Sequence, residues 1–425
     1  MTPFSNPTAL RRARLAITAA VALLLASSGG TTLHAQVDTQ PDTQPDAQPA
    51  TAPAQAASEL AFRRAAHLQR GINPSNWYAQ AADYTAAQLA RFTNAADFKL
   101  MHDLGLDHVR LSINPVPLLV VPLPTGPVEP IDPSRPISPT TTLAFRPEAM
   151  ARLDETVRQI NAAGLIVILD IHPNEPWIKA AFTDEGTPNF LYFWRGFARH
   201  FAATDPDKVY FEVLNEPHDV SPLRWSSEQA RAVAIIRKEA PQHTIIVTGT
   251  GYGGIDGLTE LTPLTDPNLI YSFHDYEPMT FTHQGATWAG DSLIALRGVP
   301  YPSSPELVAP LLDKLTSPAA RADLEHYGAM HWSRTQMMSH IGQASTWGKL
   351  HKVPVWCGEF GALRDFAPPD SRARWISDMR QTFDQFHIGW AMWDYQNGFG
   401  LVTKKDGVTT VDPPIARALG LNLTP

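Results

Sequence analysis

From about residue 60 onward, short apolar runs rich in β-branched and aromatic residues alternate with longer amphipathic stretches. The runs are LQRGIN, HVRLSIN, LIVILDIH, VYFEVLNE, TIIVTGT, NLIYSFHDY, VPVWCGEF and IGWAMWDY. Their near-continuous apolarity is the pattern of strands covered on both faces, as in a parallel sheet. Helical patterns lie around Asn94–Leu104, Pro147–Ala163, Asn189–Phe201, Ser227–Ala240, His331–Lys349 and Arg372–Phe386. Eight strands alternating with helices predict an α/β fold, a (β/α)8 TIM barrel formed as one domain over residues 60–425.

Two long insertions break the alternation, one after strand 2 and one after strand 6. The first, 114–147, is crowded with prolines (NPVPLLVVPLPTGPVEPIDPSRPISP), and the second, 277–330, carries EPMTFTHQGATW and further aromatic residues. Both follow strand C-termini, so in a barrel both belong to the face where sites are built. Proline stiffens a loop without needing backbone hydrogen bonds, which suits either a cleft wall or plain surface decoration.

The N-terminus has a different pattern. Arg11, Arg12 and Arg14 precede LAITAAVALLLA, and small residues and LHA follow before Gln36. A basic segment, a short apolar core and a small residue at the cut predict a signal peptide over 1–35 and export to the periplasm or the extracellular space. An apolar run of about a dozen residues is short for a membrane span, so no membrane insertion is expected after cleavage. Residues 36–59, rich in Pro, Gln and Ala with a TQPD repeat, read as a disordered linker.

Composition then narrows the classes. The 425 residues are 44% hydrophobic and 18% charged with a net charge of −8, giving ample core material and no basic footprint for nucleic acid. Cys357 is the single cysteine, which removes an intrachain disulfide and any Cys-based metal cluster. No HxH or HExxH spacing occurs, so neither metal nor cofactor is expected. A monomer acting on a neutral substrate fits this balance.

The candidate chemistry lies at the strand ends: Arg110, His172, Asn215 with Glu216, His274 with Tyr276, Glu359, and Trp393. One polar residue where a strand meets solvent means little, but parallel barrel strands converge on one rim and gather these residues together. Two carboxylates, Glu216 and Glu359, are the pair that glycoside hydrolysis needs, one to protonate the leaving oxygen and one to act at the anomeric carbon. Arg110 and Tyr276 would keep one carboxylate ionised, His274 would assist the acid, and Trp393 offers a flat apolar face for a sugar ring. Asn76 and Trp77, after strand 1, are further candidate sugar contacts, with Trp77 equally readable as a packed indole. Trp177, Trp225 and Trp288 are cleft platforms or packing residues. Cys357, two residues before Glu359 on one strand, should share its face as a small packing residue. The spacing of the carboxylates, and with it retention or inversion, stays open at this level.

RGINPSNWY, VRLSIN, LDIHP, VLNEP, FHDYEP, WCGEFG and AMWD resemble the strand-end motifs of glycoside hydrolase family 5, the cellulase family, from Leu68 to the C-terminus. The resemblance implies a (β/α)8 fold and a retaining double displacement without a metal. It implies Glu216 as general acid/base and Glu359 as nucleophile, with Asn215 on the 2-hydroxyl of the reacting sugar. Arg110 and Tyr276 would flank the nucleophile, His274 would lie near the acid/base, and Trp393 would floor the sugar site. His172 matches the third-strand histidine; many relatives carry a second histidine where this chain has Pro173. The implied activity is an endo-β-1,4-glucanase acting on β-glucan. The alternatives are a β-mannanase, a mixed-linkage or β-1,3-glucanase, an exo-acting β-glucosidase, or a carbohydrate-binding barrel without turnover.

Overall fold

The structure, a computed structural model, describes residues 52–121, 129–130, 144–184 and 186–423. Among these, eight parallel strands close a barrel: β1 (Arg70–Asn73), β2 (His108–Ile113), β3 (Ile166–Ile171), β4 (Val209–Glu212), β5 (Ile245–Thr248), β6 (Leu269–His274), β7 (Val355–Phe360) and β8 (Gly389–Trp393). Neighbours in the chain are neighbours in the sheet, and β1 closes on β8 with Asn73 opposite Trp393. The (β/α)8 fold is as the sequence pattern predicts.

The alternation of each strand divides the core in two. Outward side chains such as Val109, Leu111, Leu169 and Phe211 pack under the helices, while Leu68, Ile168, Tyr210, Ile246, Ile270, Trp356 and Ala391 fill the lower interior. Above that apolar plug the interior turns polar, with Arg110, Asp170 and Glu212 all buried. Helices stop where the strands must begin. Arg334–His351 and Pro369–Phe386 end on Lys352 and His387, both left-handed at φ 55°, which turns the chain into β7 and β8.

Several elements are absent from the predicted pattern. Residues 52–59, expected in the linker, belong to the helix Ala52–Ala65, whose alanine-rich sequence has high helix propensity. This helix crosses the bottom of the barrel, where Arg64 donates to Asp207 Oδ1 (2.9 Å), the Gln242 carbonyl (2.6 Å) and Thr244 Oγ1 (3.0 Å). The C-terminal segment returns to the same end, Asn422 N–H donating to the Leu104 carbonyl. The insertion after β6 is a folded layer, with helices Met279–Thr282, Asp291–Ile294, Pro305–Leu312 and Pro318–Ala329. In the proline-rich insertion Val116–Leu118 forms a 3-10 turn and Leu119–Val121 pairs with Glu129–Pro130 and Ala144–Phe145; residues 122–128 and 131–143, the signal segment and most of the linker lie outside the described residues. No helix among the described residues is long and apolar enough to cross a membrane.

Candidate active site

Arg110 organises the polar floor. It lies mid-strand in β2, one layer below the rim, and not at a strand end as the motif reading placed it. Its Nε and Nη2 donate to both oxygens of Glu212 (2.7 and 2.9 Å), and Nη1 donates to Glu359 Oε1 (2.6 Å) and Asn73 Oδ1 (3.1 Å). Nη2 also reaches Asn215 Oδ1 (2.9 Å) and lies 3.1 Å from Asp170 Oδ2. Burial alone would lower the guanidinium pKa, but the charges of Asp170, Glu212 and Glu359 outweigh it and hold Arg110 well above its ordinary value. Burial pushes the Asp170 carboxyl up to about 6 and raises that of Glu212, each opposed by Arg110.

The rim is built on that floor. Asn215, past the end of β4, has its carbonyl oxygen fixed by Arg110, which turns its amide nitrogen to His172 Nε2 at 3.2 Å. His172 Nδ1 lies 3.0 Å from Asp170 Oδ2 and donates to it, so Nε2 is the acceptor, shared with Gln80 Nε2 at 3.1 Å. Burial pulls the His172 pKa down to about 4, in keeping with a neutral ring. That ring stacks against Trp393 at 5.7 Å and 18°.

The two glutamates meet above. Glu359 has both oxygens engaged, Oε1 by Arg110 and Oε2 by the Tyr276 hydroxyl at 2.8 Å. Burial, then the charges of Glu359 and Glu216, drives the Tyr276 phenol well above its ordinary pKa, so it remains a donor. Glu216 sits in a left-handed conformation (φ 46°) with its side chain 28% exposed, and Oε1 is 2.9 Å from His274 Nδ1. Burial raises the Glu216 carboxyl pKa against the opposing charges of His172 and Arg110, while burial lowers His274 to about 4. One oxygen of Glu216, one of Glu359 and a ring nitrogen of His274 lie within 4.8 Å of one another, so these three are also the groups here that could hold an ion.

The insertion after β6 forms one wall. Ala286 joins Leu363 and Phe399 in a cluster against Trp393, and the Tyr276 ring is flanked edge-on by His283 (5.1 Å) and Phe399 (6.0 Å). Trp288 in this layer is half exposed. Asn76 is exposed with φ 54°. Trp77 does not face the cleft. It is buried against Tyr78 and Phe98, with its indole N–H on the Leu89 carbonyl, because the apolar layer outside β1 is where an indole is best covered. Trp225 and Trp177 are likewise core, Trp225 donating to the Thr248 carbonyl and Trp177 packing on Phe190 and Phe193. Asp170, Glu212, Asn73 and Gln80 escaped the sequence reading. For the first two a signal was present, since a carboxylate inside the apolar runs ILDI and VYFEV has no solvent to explain it.

A closed parallel barrel carrying two rim glutamates over a buried arginine defines a (β/α)8-barrel glycoside hydrolase. The model of the cellulase family (glycosyl hydrolase family 5) matches residues 69–398, and the chain belongs to that family. Endoglucanase 3 of Fibrobacter succinogenes is 26% identical over 371 residues, covering 84% of this chain; the chain spans about half of that relative's length, 53%. Endoglucanase C of Acetivibrio thermocellus is 24% identical over 336 residues, covering 77% of this chain and 90% of its own. Among solved structures, Thermotoga maritima Cel5A in complex with cellobiose superposes with a TM-score of 0.66 at 25% identity, covering 84% of this chain and 99% of its own.

Proposed function

We propose that this protein is an exported, retaining endo-β-1,4-glucanase that cleaves β-glucan by double displacement. The observation that carries the reading is the spacing of the two carboxylates. The nearest oxygens of Glu216 and Glu359 lie within 4.8 Å of each other, which favours the ~5–5.5 Å carboxyl separation of retaining enzymes over the ~6.5–9.5 Å that leaves room for an inverting water. Their surroundings divide the labour. Glu359, held by Arg110 and Tyr276, attacks the anomeric carbon, and Glu216, its pKa raised by burial, protonates the departing glycosidic oxygen. The resulting glycosyl ester is hydrolysed by water that gives its proton to Glu216, and Glu359 departs as carboxylate. The second Nδ2 hydrogen of Asn215, left over from His172, is available to the sugar 2-hydroxyl, and Trp393 floors the sugar site.

The test is hydrolysis of carboxymethyl cellulose, mixed-linkage glucan, mannan and xylan, with reducing-end counts and NMR of the first anomer released. Internal cuts in β-1,4-glucan and a β-anomer released first are expected. An α-anomer first would overturn retention, monosaccharide alone would overturn endo action, and preference for mannan or xylan would move the substrate. Glu359→Gln should keep substrate binding and lose hydrolysis; turnover surviving at the wild-type rate would remove Glu359 from its role. Export rests on the arginines before LAITAAVALLLA. It is checked by sequencing the N-terminus of the exported protein, expected just after Ala35.

A further inference from the structure

The chain following Glu216 carries a second group of ligating side chains that the hydrolytic reaction does not use. A ring nitrogen of His218 and carboxylate oxygens of Glu175 and Asp219 lie within 4.8 Å of one another. Glu175 opens the helix Glu175–Ala181 after β3, and His218 and Asp219 belong to the loop after β4, so the group bridges two adjacent rim segments. His218 is 8% exposed. Its Nδ1 is 2.8 Å from the Glu216 carbonyl, which can only accept, so Nδ1 carries the proton and Nε2 bears the lone pair. That Nε2 is buried with no hydrogen-bond partner among the described residues. A buried basic nitrogen without a donor is an uncompensated cost, and a cation that it binds together with the two carboxylates beside the ring removes that cost.

We propose that His218, Glu175 and Asp219 form a binding site for a divalent transition metal of the zinc class, separate from the two rim glutamates. One imidazole with two carboxylates is a donor set of that class, and water completes the coordination where Asp219 faces solvent. Ligand atoms around one such ion at about 2.0–2.2 Å lie roughly 3–4 Å apart, a closure that rotation of the Glu175 and Asp219 side chains supplies. The Tyr252 ring, stacked on His218 at 4.5 Å and 9°, fixes the imidazole plane. Without the ion, the Lys179 ammonium serves as counter-charge, 2.6 Å from Glu175 Oε1. Because His218 holds the Glu216 carbonyl, an ion here clamps the loop that presents Glu216. The proposal does not depend on the assigned reaction.

The whole chain, stripped with a chelator, is titrated with Zn2+ and Co2+ by calorimetry, with the Co2+ absorption spectrum as a second readout. One ion per chain is expected, its affinity falling at least about tenfold in His218→Gln and in Asp219→Asn. Asp219 is exposed at φ 55°, a conformation that asparagine adopts readily, so its variant tests the site without a folding defect. Lys179→Gln removes the competing ammonium and should tighten binding, and Glu359→Gln should leave it intact. Absence of wild-type binding below about 1 mM, affinity unchanged in both ligand variants, or loss of the ion in Glu359→Gln would each overturn the proposal.

Discussion

Arg110 faces three carboxylates with one positive charge, in a layer closed to water. Such a cluster is costly to bury and more costly to break, since removing one partner strands the others. Glu212 makes the bidentate contact, so Glu212→Ala should lower unfolding free energy by about 3 kcal/mol, measured in denaturant, and Glu212→Gln by less. The same layer bears on pH. With Glu216 as the proposed acid, kcat/KM should fall as pH rises through its pKa. Burial raises that pKa, placing the alkaline limb above the ordinary glutamate value of about 4.3. His274, lowered to about 4, is neutral across this range and supplies no limb near pH 6.5. With an aryl glycoside whose leaving group needs no proton, Glu216→Ala should flatten the alkaline limb; persistence of that limb would assign it to another group. Glu216 and Glu359 were legible in sequence because each ends a strand motif, whereas Glu212 and Asp170 were hidden inside strands by their apolar neighbours.

At the scale of elements, β7 shows how a strand can deceive a reader of periodicity. Its register against β6 shifts between Cys357 and Glu359. A bulge inserts one residue and breaks the two-residue alternation. Cys357 therefore packs in the outer apolar layer while Glu359 turns to the cleft, contrary to the shared face that strict alternation predicts. Gly358 stands in the bulge, where a Cβ would meet Ser272 Oγ at 2.8 Å and His274 Nε2 at 2.9 Å. Gly358→Ala should push His274 off Glu216, lowering both kcat and Tm; a variant with wild-type kinetics would show that the imidazole has slack. The expected helices following β1, β2, β3, β4, β6 and β7 were legible within a few residues because each carries a clear amphipathic period or cap. The short helices Ala86–Phe92 and Ile255–Thr259 and the hairpin Val402–Lys405 with Val408–Val411 were not, since one or two turns carry too little period.

For the whole molecule, the two ends of the barrel do different work. The candidate site sits at the C-terminal ends of the strands, and the opposite end is closed by apolar packing and by Arg64. Arg64→Ala should cost about 2 kcal/mol of stability through its lost hydrogen bonds while leaving kcat/KM unchanged. A matched loss of activity in the folded variant would mean that the two ends communicate. The helix across the bottom and the C-terminal segment beside Leu104 share that closed end. Both ends of the described chain lie on the side opposite the cleft. A probe attached at Ala52 or at Leu423 would therefore sit at the back of the barrel, away from the rim glutamates. The mouth of the barrel is left clear of both.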